Sequence, residues 1–290
     1  MQRSPTPTLL TDSDPDPVTV LRPDSRAAFL VVSEHAGVHV PQALADAYSD
    51  KLLAMHYGCD IGAGALASAL GERLSARTVL GNYSRLIIDP NRRPDDTTLF
   101  LTLADDEAVA ANVGLSEASR RARYDALYVP VHTQIEQQVQ ALSAFCRPIY
   151  IAIHSFTPNY NGQLRPWDMG VLWDQRPGLA HHLRDGMREY GLSVGDNEPY
   201  SGKQPEDFSI DFHVERHDFD GVAIEVRQDH LQHSGGVDLW ADRLAAVLCS
   251  WDSAQSGLSA SIDRDESRYA VNAMQFERMV SEWMAQPNDQ

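Results

Sequence analysis

Apolar positions in this chain fall into two kinds of segment. In the first kind every position is apolar. Phe29-Leu30-Val31-Val32, Ile149-Tyr150-Ile151-Ala152-Ile153 and Val222-Ala223-Ile224 are short saturated runs of this sort, the pattern of strands buried on both faces. Leu86-Ile87-Ile88, Thr78-Val79-Leu80 and Gly170-Val171-Leu172-Trp173 predict shorter strands, and Val18–Leu21 an edge strand. In the second kind, apolar residues recur at helical spacing. One such segment is 60–74, with Ile61, Leu66, Leu70 and Leu74, and the longest is 116–145, with Leu127, Val131, Ile135, Val139 and Leu142. Residues 177–190, closed by Gly191, and the stretches 236–251 and 265–285 predict three more helices. Residues 93–115 read as an irregular loop or lid, and Val194–Gly202 as a polar loop.

Strands alternating with helices predict an α/β fold: one three-layer α/β/α domain with a mostly parallel mixed sheet, spanning 18–290. The Pro- and Asp-rich residues 1–17 are expected to form a loose tail. At 290 residues, with 43% hydrophobic and 22% charged content, the composition is that of an ordinary globular protein. A formal charge of −17 argues against nucleic acid or an anionic membrane as partner, since either needs a basic face. Cys59, Cys146 and Cys249 are odd in number and lack CxxC spacing, so neither a disulfide framework nor a thiolate metal site is expected. With no secretory signal pattern and no apolar stretch of bilayer length, a cytoplasmic location is expected.

The ends of the apolar runs change the picture. Val32 leads into Ser33-Glu34-His35, Ile88 into Asp89 with Asn91 and Arg92 beyond, Ile153 into His154, and Ile224 into Glu225 with Arg227 beyond. Open α/β sheets place their chemistry at the carboxyl ends of strands, so these residues predict one shared site. Hydrolytic zinc is held by three His or carboxylate ligands with one position open. His35 and His154 suit that role, with an acid as the third ligand, either Asp60 or Glu34. Because neighbouring side chains of an extended chain point apart, Asp60 is preferred over Glu34, and His56 is a secondary candidate. Asp60 also stands where a carboxylate could cap a helix.

Several strings together resemble the N-formylglutamate amidohydrolase family. They are Ser33-Glu34-His35-Ala36-Gly37, Asp60-Ile61-Gly62-Ala63, Tyr83 to Arg92, Ile153-His154-Ser155-Phe156, Arg165-Pro166-Trp167, Gly195 to Gly202 and Ile224-Glu225-Val226-Arg227. The resemblance implies a metal-dependent amide hydrolase with a fold similar to the zinc carboxypeptidases and aspartoacylases. It also implies one zinc ion and a small N-acyl amino acid as substrate, N-formyl-L-glutamate above all. Those relatives use His-x-x-Glu plus a distant His as ligands, and Val38 stands here at the place of that Glu. By the same resemblance Asn91 and Arg92 hold the substrate carboxylate, Arg85 polarises the carbonyl, and Glu225 is the general base. Asn197, Tyr200, Ser201 and Arg227 are expected to contact substrate. These roles are also sound as chemistry: a carboxylate moves a water proton, a guanidinium steadies an oxyanion, and a guanidinium fork suits a carboxylate. His213 and His217, in a polar stretch, are expected at the surface or against substrate. A serine hydrolase using Ser33 or Ser155 lacks a Gly-x-Ser-x-Gly elbow. A deacylase or amidase acting on another N-acyl amino acid or a small peptide-like amide, and a non-catalytic binding protein retaining the pocket, remain as alternatives.

Overall fold

The computed structural model describes residues 8–203, 207–217, 219–255 and 272–285. Its sheet has seven strands: β1 (Val18–Leu21), β2 (Phe29–Ser33), β3 (Arg77–Gly81), β4 (Ile149–Phe156), β5 (Met169–Leu172), β6 (Val194–Asp196) and β7 (Asp220–Arg227). Their order is β1-β3-β2-β4-β7-β5-β6. Strands β3, β2, β4 and β7 run parallel, while β1 and the β5–β6 pair run against them. Every residue of β2 and β4 is buried, as the saturated apolar runs require.

The α-helices of six residues or more are α1 (Ala63–Arg73), α2 (Glu117–Arg123), α3 (Val129–Ser143), α4 (Pro177–Glu189), α5 (Phe208–His213), α6 (Ser234–Gln255) and α7 (Ala273–Met284). Strand alternation divides the core between the two faces of the sheet. Phe29, Val31, Ile149, Ile151 and Ile153 pack with α1, α4 and α6 through Leu66, Leu70, Leu183, Trp240 and Leu244. Leu30, Val32, Tyr150 and Ala152 face the other way, onto Val131, Ile135, Val139 and Leu142 of α3. The layers are therefore helices, mixed sheet, helices. Among the described residues no helix is long and apolar enough to cross a membrane.

Several elements differ from the sequence expectation. Leu86-Ile87-Ile88 is not a strand: Ile87 N donates to Ser84 O in a turn, and the side chains of Asn112 and Arg123 donate to the carbonyls of Leu86 and Ile87. The run is apolar because it is buried beside the sheet, where a buried turn and a buried strand have the same composition. The long helix of 116–145 is split by a π-helical turn at Tyr124–Tyr128, just before Pro130, which has no N–H to give an α-helical bond. The helix expected from residue 60 starts only at Ala63, after Gly62 in the left-handed region (φ 82°). Val194–Asp196 joins the sheet as β6 rather than remaining loop. Within the segment expected as a tail, Pro15 and Asp16 accept hydrogen bonds from Tyr83 Oη and Asn82 Nδ2. Of the last helix expected, 265–271 lies outside the described residues.

Candidate metal centre and substrate cavity

Parallel pairing lines up the ends of β2, β4 and β7. Glu225 is the register partner of His154, and alternation places both on the α3 side of the sheet. Just past β2, the chain turns with Gly37 packed directly against Asn82, where a Cβ would collide with the Asn82 carbonyl oxygen. This close approach lets His35 meet the segment beyond β3. Asp60 is brought in by its backbone N–H, which donates to His35 O at 3.1 Å. Its carboxylate does not cap α1, whose N-cap is Gly62 with no side-chain cap bond. Instead Asp60 Oδ2 lies 2.9 Å from His154 Nδ1 and 3.4 Å from His35 Nδ1.

His35, Asp60 and His154 are all buried, and one possible ligand atom from each lies within 4.8 Å of the others. The neighbours set the tautomers. His35 Nε2–H donates to Asp89 Oδ1 at 2.7 Å, which leaves the Nδ1 lone pair of a neutral ring facing Asp60. A lone pair facing a carboxylate demands positive charge between them, supplied either by a proton on the ring or by a metal ion. The same demand shows in the titration of both rings. Burial pushes His154 down, but the Asp60 carboxylate outweighs it and raises the ring to about 10. For His35, burial and Arg85 are likewise outweighed by Asp89 and Asp60, and its pKa is raised. Against the burial that would raise them, Asp60 and Asp89 are held below the usual carboxylate range by His35 and Arg85. Two nitrogens and a carboxylate oxygen, with a second carboxylate orienting one imidazole, make a donor set that fits zinc.

Glu34 lies behind this set. Its Oε2 is 3.7 Å from His154 Nε2, while its Oε1 accepts from Tyr150 Oη and Ser209 Oγ. His56 lines the adjacent cavity with no partner at Nε2 but stands outside the donor group. The cavity holds about 620 Å³, within the range of small-molecule sites. His35, Asp60 and His154 open onto it, and so do Arg85, Asn91, Arg92, Tyr200, Ser201 and Glu225. Arg85 bridges two carboxylates, donating to Asp89 Oδ2 at 2.5 Å and to Asp60 Oδ1 at 3.2 Å. Glu225 Oε2 is buried without a hydrogen-bond partner, and burial, opposed by His154, raises its carboxyl to about 7.

Asn197 and Arg227, expected as substrate contacts, do not line the cavity. Asn197 accepts from Trp173 N at 3.0 Å and Gly202 N at 2.9 Å, and so shapes the loop that carries Tyr200 and Ser201. The Arg227 guanidinium is taken up by Asp229, Asp168 and the Trp167 carbonyl. His213 is not at the surface: it is fully buried in α5 and bonded to Glu136 at 2.6 Å. His217 is partly buried on the same carboxylate at 3.0 Å.

The reading from sequence missed the orienting role of Asp89, although that residue sits inside the Tyr83–Arg92 string. It also gave no role to Arg165, which lines the cavity, nor to the side chains that hold the 86–92 segment. Besides Asn112 and Arg123, His132 Nε2 donates to Pro90 O at 2.8 Å and Tyr128 Oη to Arg92 O at 2.9 Å. The four-residue spacing of His132 and Glu136 on one helix was the available signal.

Residues 27–231 match the family model of N-formylglutamate amidohydrolase. The chain belongs to the N-formylglutamate amidohydrolase family. A gene product of Agrobacterium tumefaciens has a similar structure, with a TM-score of 0.81 at 29% identity over 86% of this chain and 99% of that one. An N-formylglutamate amidohydrolase from Ralstonia eutropha JMP134 is similar in fold, with a TM-score of 0.63 at 19% identity over 83% and 99% of the two chains. Among proteins curated for function, none matches. The stretch matched to the family spans every residue that lines the donor set and its cavity, from His35 to Glu225.

Proposed function

We propose that the protein is a zinc-dependent amidohydrolase that cleaves the formyl amide of an N-formyl amino acid, N-formyl-L-glutamate above all, to formate and the free amino acid. The observation that carries this reading is the buried His35–Asp60–His154 group opening onto a cavity beside the unpartnered carboxylate of Glu225. When bound, a divalent ion there acidifies water and polarises the scissile carbonyl.

The chain's own residues supply the rest. Glu225, on the strand next to His154, takes the proton of the attacking water and hands it to the leaving amide nitrogen. Its raised carboxyl pKa suits a group that must both accept and release a proton near neutrality. Arg85, fixed by Asp60 and Asp89, presents positive charge to the oxygen that becomes an oxyanion. Arg92, beside Asn91, receives the α-carboxylate. Asn91 is rigid: its backbone N–H donates to Asp89 Oδ1 at 2.8 Å and its Oδ1 accepts from Ser209 N at 2.9 Å.

Elemental analysis of the purified protein, coupled to an assay on N-formyl-L-glutamate, tests the proposal. Stoichiometric zinc with chelator-sensitive formate release is expected. A metal-free protein without turnover would leave only a binding role, and faster release from bulkier acyl groups would move the substrate to another N-acyl amino acid.

A further inference from the structure

Arg165 is a cavity-lining guanidinium held entirely by neutral groups. It stands beyond β4, after the short ladder of Asn159–Tyr160 and Gln163–Leu164, which folds back over the cavity. The residue is 8% exposed. Its Nη1 donates to Tyr200 Oη at 2.9 Å and to the Thr157 carbonyl at 3.4 Å. The planar group lies over three aromatic rings, with Cζ 4.8 Å from the centroids of Tyr160 and Tyr200 and 5.5 Å from that of Phe156. Among the described residues no carboxylate comes within 4.0 Å of it, whereas Arg85 has Asp60 and Asp89, and Arg227 has Asp168 and Asp229.

A guanidinium has five N–H donors. Stacking holds its plane and Nη1 is engaged, so the Nε–Nη2 edge remains without a partner among the described residues. That edge is the fork that receives a carboxylate through two parallel hydrogen bonds. A buried cation without a counter-charge is unfavourable, and an anionic ligand removes the penalty. The fork also shares its cavity with the reacting groups, since Arg165 and Tyr200 line the same space as Glu225 and Asp60.

We infer that Arg165 is the receptor for a second carboxylate on the substrate, at the end away from the scissile amide. Together with Arg92 it makes the cavity selective for N-acyl derivatives of acidic amino acids. This rests on the proposed hydrolysis for its orientation, since Arg92 is there assigned the α-carboxylate.

The test uses glutarate and its monoamide, glutaramate, as calorimetric probes on the zinc-loaded protein. Glutarate should bind about 30-fold or more tighter, the size expected of a desolvated charge pair. In Arg165→Gln the two should bind within about 3-fold of each other, with glutaramate little changed, and Arg165→Lys should fall between. In turnover, the preference for N-formyl-L-glutamate over N-formyl-L-glutamine should vanish in Arg165→Gln through KM rather than kcat.

Discrimination by the unaltered protein of less than about 3-fold, or equal weakening of both probes by Arg165→Gln, overturns the assignment. So does the absence of saturable glutarate binding. The probe pair on the unaltered protein decides the matter even where Arg165→Gln does not fold. Selective, Arg165-dependent glutarate binding without hydrolysis of any formyl amino acid would support the subsite and sink the proposed activity. Equal hydrolysis of the glutamate and glutamine substrates would do the reverse.

Discussion

Two buried histidine clusters in this protein are built from the same parts. In front, His35 and His154 face Asp60, with Arg85 alongside. Behind, His213 faces Glu136 and stands between it and His132, with Arg216 on the carboxylate at 2.7 Å. The rear cluster is closed. His132 Nε2 meets Pro90 O and Nδ1 meets His213 Nε2, each at 2.8 Å, and His213 Nδ1 meets Glu136 Oε1 at 2.6 Å, so each of the four ring nitrogens has a neighbour within hydrogen-bond distance and one proton lies between the two rings. Burial outweighs these partners and lowers both rear rings below the ordinary histidine value. The front cluster is open: His154 Nε2 and Glu225 Oε2 have no hydrogen-bond partner among the described residues, and the group borders the cavity. There the carboxylates win over burial and the rings are raised. Residue type does not separate a closed cluster from an open one. Satisfaction of the polar atoms and access to a cavity do. The two are also linked, because the rear cluster holds the Pro90 carbonyl beside Asn91 and Arg92.

The sharpest way to break this contrast is at Glu225. Glu225→Gln should lower turnover by about 10³-fold or more while leaving zinc content unchanged by elemental analysis. Activity near that of the parent would show that another group moves the proton. Next in size, Glu136→Ala should cost about 3–5 kcal/mol of stability, because it strips the partner from buried charge and imidazole. Urea unfolding measures this, and zinc affinity in the folded fraction should stay within about 3-fold if the rear cluster is structural. Asp89→Asn tests the front cluster's orienting carboxylate. A loss of about 10–100-fold in zinc affinity is expected from competition with a chromophoric chelator.

The smallest effect lies on the helix that carries His213, at Asp211 of α5. Both of its carboxylate oxygens are buried and unpartnered, and burial pushes the carboxyl up to about 9. The folded chain therefore keeps a proton that the unfolded chain releases above the ordinary carboxylate range. Stability should fall as pH rises from that range toward about 9. Asp211→Asn should flatten the slope and raise stability by about 1–2 kcal/mol at pH 8. An unchanged denaturation midpoint at pH 8 would mean that Asp211 has a partner in solution.

Much of this was legible in the residues themselves. Runs apolar at every position suit strands covered on both faces, so β2, β4 and β7 were readable, as were the helical periods of α1, α3 and α4. His35, His154 and Glu225 were found because a strand's end is also an address. What the sequence could not settle is which distant groups share a hydrogen bond. A run such as Leu86–Ile88 looks the same in a buried turn as in a strand. His213 reads as polar until Glu136, on another element, is seen to bury it, and Arg227 and Asn197 read as binding groups until Asp168, Asp229, Trp173 and Gly202 are seen to use them up. Asp60, already preferred as the third ligand but equally placed to cap a helix, was settled between the two only when its carboxylate was seen to turn from α1 toward two imidazoles. Periodicity is local and records which face of an element is covered. Partnership between polar atoms depends on long-range packing, and only the tertiary structure decides it.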